Sequence, residues 1–130
     1  MAVELLYCST PSRLKEKTEA ILEFVNKKTP YAPFHPFVAF PYELFEGNQK
    51  IGRNNTMDYC IRAIDICSRF ALFGISKGTS IDELPHALKL NKPIDIFLEE
   101  FDPNWRDYYL ELQKNHPNLQ ADLKKAGVII

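Results

Sequence analysis

The chain has 130 residues, 45% apolar and 25% charged, with 16 Lys+Arg against 17 Asp+Glu and a net charge of -1. This is the composition of a single globular domain over residues 1–130 that can bury a core without metals or disulfides, and it excludes a disordered chain. Near-zero charge with no basic cluster argues against nucleic acid as a partner, and no apolar run approaches the length of a membrane span.

Residues 3–8 form a short apolar run bounded by Ser9-Thr10-Pro11-Ser12, which predicts a buried strand running into a loop. Leu14, Thr18, Ile21, Leu22 and Val25 then recur at helical spacing, and Pro11 and Ser12 suit the opening turn. Residues 31–45 interleave Tyr31, Phe34, Phe37, Phe40, Tyr42 and Phe45 with three prolines, predicting an edge-like strand followed by a loop. Residues 46–55 read as a polar loop in which Asn54, Asn55 or Thr56 would cap the next helix, whose apolar face is Met57, Cys60, Ile61, Ile64 and Cys67. A third strand follows at 70–75, a small-residue loop at 74–80, a short helix at 82–91 and a fourth strand at 93–98. Trp105, Tyr108, Tyr109 and Leu112 mark a last helix, and the tail at 117–130 has one more helical turn or two.

Strands alternating with helices in this way predict an α/β protein, a three-layer flavodoxin-like or Rossmann-like sandwich around a four- to five-stranded parallel sheet. Ligands of such sheets bind beyond the carboxyl ends of the strands. Residues 7–12, the loop after the second strand and residues 74–83 would meet there. Cys8, Cys60 and Cys67 are odd in number and lack metal-ligand spacing, and His35, His86 and His116 lie far apart, so no metal or other cofactor is expected. Unpaired cysteines and a start without a basic then long apolar segment predict a reducing, cytoplasmic location.

Residues 74–83 admit three readings. Gly74-Ile75-Ser76-Lys77-Gly78 matches G-x-S-x-G between a strand and a helix, which would make Ser76 the nucleophile of a small serine hydrolase with Asp95 or Asp102 and His116. That fold asks for a larger sheet and for a helix beginning at the serine itself. Alternatively, Ser80-Ile81-Asp82-Glu83 is a capping box in which Glu83 only satisfies a backbone N–H. Pro85 would then fall at the fifth helical position and break a hydrogen bond, so a later start with Pro85 in the first turn is less strained.

In the third reading, Ser76-x-Gly78-Thr79-Ser80-x-x-Glu83, followed by Ala87 and Asn91-Lys92-Pro93-Ile94, resembles the signature of the nucleoside 2-deoxyribosyltransferase superfamily, including its nucleotide N-glycosidases. The resemblance spans residues 3–98. It implies that Glu83 is the catalytic carboxylate, that Tyr7 is the active-site tyrosine, that Asp58 contacts base or sugar, and that subunits pair around their sites in a homo-oligomer. Pro85 and His86 stand where the family has a small residue, and Ser68 replaces an acidic one.

The chemistry is coherent with those residue types. Cleavage of an N-glycosidic bond passes through an oxocarbenium-like sugar, which a nearby carboxylate can attack or stabilise. Glu83 would be that carboxylate, Tyr7 would orient it, and Asp58 would hold the substrate or protonate the leaving base. Ser9, Ser76, Gly78, Thr79, Ser80 and Arg13 are the substrate-binding candidates. The backbone N–H groups of residues 78–80 and the Arg13 guanidinium suit a phosphate, so a nucleoside 5′-monophosphate is expected to bind better than its nucleoside. The rival is a nucleotide-binding sensor or sequestering module of the same fold without turnover, which Pro85 favours. The aromatic content of residues 31–45 and 105–112 also points to a homo-oligomer.

Overall fold

A computed structural model describes residues 3–130. Strand β1 (Leu5–Ser9) runs through Pro11 into a 3-10 helix (Ser12–Lys17), α1 (Thr18–Lys28) and strand β2 (Ala32–Phe34). A short helix α2 (Pro36–Ala39) and a stretch of turns precede α3 (Gly52–Ile66), which returns the chain to strand β3 (Arg69–Leu72). A π-helix (Lys77–Glu83) continues directly into α4 (Leu84–Lys89), and strand β4 (Ile94–Ile96) is followed by α5 (Leu98–Phe101), α6 (Trp105–Leu112) and α7 (Leu119–Ala126). All strands are parallel in the order β2-β1-β3-β4, so the protein is an α/β sandwich with a four-stranded sheet between helices.

The period of the strands builds the layers. Leu6 and Cys8 of β1, with Ala71 and Phe73 after it in the sheet, face Ile21 and Val25 of α1 and Phe101 of α5. Tyr7, Phe70 and Leu72 face the other way, into a larger core with Cys60 and Ile64 of α3, Leu84 of α4, Trp105 of α6 and Leu123 of α7. Pro33 sits in β2, an edge strand, where its missing N–H breaks no interior ladder. Among the described residues no helix is long and apolar enough to cross a membrane, and no buried side-chain nitrogen or oxygen lacks a hydrogen-bond partner.

The structure departs from the sequence reading at the start of α3 and in the aromatic stretches, and agrees with it in the tail. Helix α3 starts at Gly52, inside the stretch read as loop, because Gly52 adopts φ 71°, a left-handed turn that suits glycine. Asn55 and Thr56 then bond back to the carbonyls of Ile51 and Gly52 inside the helix instead of capping it. The tail carries the further turn or two expected of it, as α7, whose Leu119 and Leu123 are buried and which ends on Gly127 at φ 105°. The aromatic surface that suggested a subunit interface is largely consumed within the chain. Phe34 stacks on Tyr7, Phe40 packs against Phe34, Phe45 and Tyr59, and Trp105 packs on Tyr109. Val38, Leu44, Tyr108 and Leu110 remain exposed in these stretches.

Candidate functional site

The sheet changes direction between β1 and β3, because the chain moves outward from β1 to β2 and then crosses to β3 on the other side. At such a switch point the loops after adjacent strands part and leave a crevice. Here the crevice is a cleft of about 190 Å³. Thr10, Pro11 and Ser12 reach it from β1, Pro36, Phe37 and Phe40 from β2, and Ser76, Gly78, Thr79 and Glu83 from β3. Helix α3 closes the wall with Arg53, Thr56, Met57 and Cys60, residues three or four apart on one helical face.

Glu83 is the buried acid of this cleft, only 4% exposed. Tyr7 Oη donates to its Oε2 at 2.6 Å and Ser9 Oγ donates to its Oε1 at 2.6 Å. Burial pushes the Glu83 carboxyl up to about 7, while the Ser9 and Tyr7 hydroxyls favour its ionised form and pull the other way. Burial, and then the charge of Glu83, raise the Tyr7 phenol well above its usual value, so Tyr7 remains a donor. The result is an acid poised near neutrality and clamped from both sides.

The π-helix explains how Glu83 arrives there beside Pro85. Ser76 caps it: the Ser76 hydroxyl accepts from Thr79 N at 3.2 Å, and Ser76 N donates to Thr79 Oγ1 at 2.9 Å. The capping box is therefore Ser76 with Thr79, not Ser80 with Glu83, which frees the Glu83 carboxylate. The wide turn ends at Glu83, and Pro85 falls just past the π-to-α junction, in the first turn of α4. Gly74 allows the loops after β1 and β3 to touch, since a Cβ there would lie 2.6 Å from Pro11 Cγ.

Other expected site residues fall differently. Asp58 is exposed and does not line the cleft; the α3 face that does so carries Met57 and Cys60, and Asp58 follows Met57 by about 100° of helical rotation. Arg13 is committed elsewhere: its Nη2 donates to Asp102 Oδ2 and to the Ile75 carbonyl, both at 2.7 Å, and its guanidinium lies 3.5 Å over the Tyr108 ring. It lines a separate groove with Tyr108 and Leu112. Ser9 orients Glu83 from within the core, and Ser80 is buried against Thr79, so neither lines the cleft. The hydrolase triad is not assembled. Ser76 bonds to Thr79, Asp102 to Arg13 and the Ile75 amide, and Asp95 to Arg69.

Two features of the cleft were absent from the sequence reading. The first is Arg53, whose Nη1 donates to Glu46 Oε1 at 2.6 Å, both residues lining the cleft. The second is a directed chain behind Thr10. Burial lowers His35 to about 4, so its ring is neutral, and its Nδ1 accepts from Phe37 N at 3.1 Å. The proton therefore sits on Nε2, which donates to Thr10 Oγ1 at 3.2 Å. Thr10 in turn donates to the Cys8 carbonyl at 3.1 Å, leaving its hydroxyl only an acceptor for a ligand.

Cys8, Cys60 and Cys67 are free, and burial pushes each thiol up, to about 12, 12 and 11, which removes nucleophilic character. Among the described residues no group of three or more His, Cys, Asp or Glu side chains is gathered to hold a metal ion. Compared with protein-family models, curated proteins and solved structures, the chain finds no match.

Proposed function

We propose that the cleft binds a nucleoside or a nucleoside 5′-monophosphate and cleaves or transfers its N-glycosidic bond, with Glu83 as the nucleophile. The observation that carries this reading is the pairing of a buried carboxylate with two hydroxyl donors, one on each oxygen, at the floor of a cleft walled by Phe37, Phe40 and Met57. A carboxylate so held needs no reorganisation before it meets positive charge developing at an anomeric carbon.

In the step envisaged, a Glu83 oxygen bonds to C1′ while the bond from C1′ to the base nitrogen breaks, its electron pair leaving with the base, which takes a proton from solvent. Water, or the nitrogen of a second base, then attacks C1′ and restores the Glu83 carboxylate. Thr10 accepts from a sugar hydroxyl, and Phe37 or Phe40 offers a ring for the base. The exposed Tyr108 and Leu110 of α6 would serve a second copy in a homo-oligomer, which sedimentation velocity checks.

A base-release assay over a panel of 2′-deoxynucleosides, ribonucleosides and their 5′-monophosphates tests the reading, with wild type and Glu83→Gln side by side. Release by wild type alone is expected. Binding of the same compounds without release by wild type would assign the cleft to a sensor, and absence of both would remove the nucleoside altogether.

A further inference from the structure

The cleft carries a second acid besides Glu83, and that acid is tied to a base. Arg53 Nη1 donates to Glu46 Oε1 at 2.6 Å, and Arg53 Nη2 lies 3.8 Å from Asp82 Oδ2. A Cβ at Gly78 would come 2.9 Å from Arg53 Nη2, so the absent side chain gives the guanidinium its room. Glu46, Arg53 and Glu83 all line the same cleft of about 190 Å³, so the pair and the carboxylate face one bound ligand.

We infer that Glu46 and Arg53 read the base, and that the base they select is guanine. This rests on the glycosidase reading of the cleft. The alternative use of Arg53, as a phosphate anchor, is opposed by charge: Glu46 and Asp82 already flank the guanidinium, and a phosphate there would meet two carboxylates. A base edge carries no net charge and asks for donors and acceptors side by side. An ionised Glu46 only accepts and Arg53 only donates. Guanine presents N1–H and N2–H to a carboxylate with the O6 acceptor adjacent, and a guanidinium is the preferred partner of that oxygen. Adenine offers one amino donor and a ring nitrogen, so it makes one charge-assisted bond fewer. Phe40, fixed by contacts with Phe34, Phe45 and Tyr59, supplies a rigid face for stacking.

Calorimetry with the Glu83→Gln protein, in which turnover cannot consume the ligand, tests this with deoxyguanosine, deoxyinosine and deoxyadenosine. Deoxyguanosine is expected to bind about tenfold or more tightly than deoxyadenosine, with deoxyinosine close to deoxyadenosine because without N2 it too makes one charge-assisted bond fewer. Glu46→Gln in the same background should weaken deoxyguanosine more than deoxyadenosine and bring the two to within about threefold of each other. Equal affinities for the three, or a preference that survives Glu46→Gln, would overturn base reading while leaving the glycosidase intact. Binding confined to 5′-monophosphates and lost in Arg53→Gln would give Arg53 to phosphate and overturn it as well. No binding by any of the three, with no base released by wild type, would bring down the cleft's assignment and this inference together.

Discussion

Tyr7 and Glu83 lie 76 residues apart and meet through a 2.6 Å hydrogen bond, from the phenol to Oε2. Tyr7 is the third residue of β1 and fully buried, while Glu83 ends the π-helix after β3, so the bond closes the switch point of the sheet. It supports the ionised carboxylate against the burial that opposes it. Replacing Tyr7 with Phe removes that support. The ascending limb of the pH–rate profile should move up by about one unit, and activity at pH 7 should fall about five- to tenfold. An unmoved limb would deny Tyr7 its orienting role.

With wild type, kcat/KM should rise with pH and level off above about 7, since a nucleophile works only ionised and Glu83 titrates at about 7. A limb falling through the same pH would make Glu83 a proton donor instead.

Stability should run against activity. The folded Glu83 keeps its proton up to about 7, whereas an unfolded glutamate releases it near pH ~4.3, so the folded state binds more protons between those values. Stability therefore falls as pH rises through that window and is level above it. Glu83→Gln, which cannot ionise, should equal wild type near pH ~4 and exceed it by about 3 kcal/mol at pH ~8 in urea unfolding. A wild type as stable as the variant at the higher pH would show that the carboxylate is not strained by burial.

A 5′-phosphate should add little. Arg13 is paired with Asp102, Arg53 with Glu46, and Lys77 lies 3.4 Å from Asp82, so each of these cations is already matched. Nucleoside and 5′-monophosphate should bind within about threefold of each other, because among the described residues both cations that line the cleft, Arg53 and Lys77, already have carboxylate partners. Arg13→Ala should leave that ratio alone yet cost about 2–3 kcal/mol of stability, by stranding the buried Asp102 carboxylate. A large phosphate preference abolished by Arg13→Ala would restore Arg13 as an anion ligand.

The sheet was legible because its strands are short apolar runs between turn residues, and the convergence of Tyr7 and Glu83 follows once the strand order is fixed. Asp58 was misplaced by one helical step. The face defined by Met57, Cys60 and Ile64 was correctly read, but a spacing counted from Glu83 does not respect that register. The fate of Arg13 depends on Asp102, 89 residues away, a pairing that no local pattern reveals. Glu46 and Arg53 were hidden in a stretch whose polarity reads as loop; Glu46 does lie in turns, whereas Arg53 follows the positive φ of Gly52 into the first turn of α3. Pro85 did carry a true signal: a proline that a Ser80 cap could not tolerate pointed to the later α-helical start.

Transfer through Glu83 requires a covalent bond between its carboxylate and the sugar, and a slow substrate can make that bond visible. A nucleoside fluorinated at C2′ destabilises the oxocarbenium-like transition states and lets a glycosyl-enzyme accumulate. Intact-mass and peptide mass spectrometry after incubation should show one added fluorosugar, carried by the tryptic peptide of residues 78–89 at Glu83 and absent in Glu83→Gln. Base release without any adduct, or an adduct on another residue such as Ser76 or Asp58, would show that Glu83 is not the nucleophile.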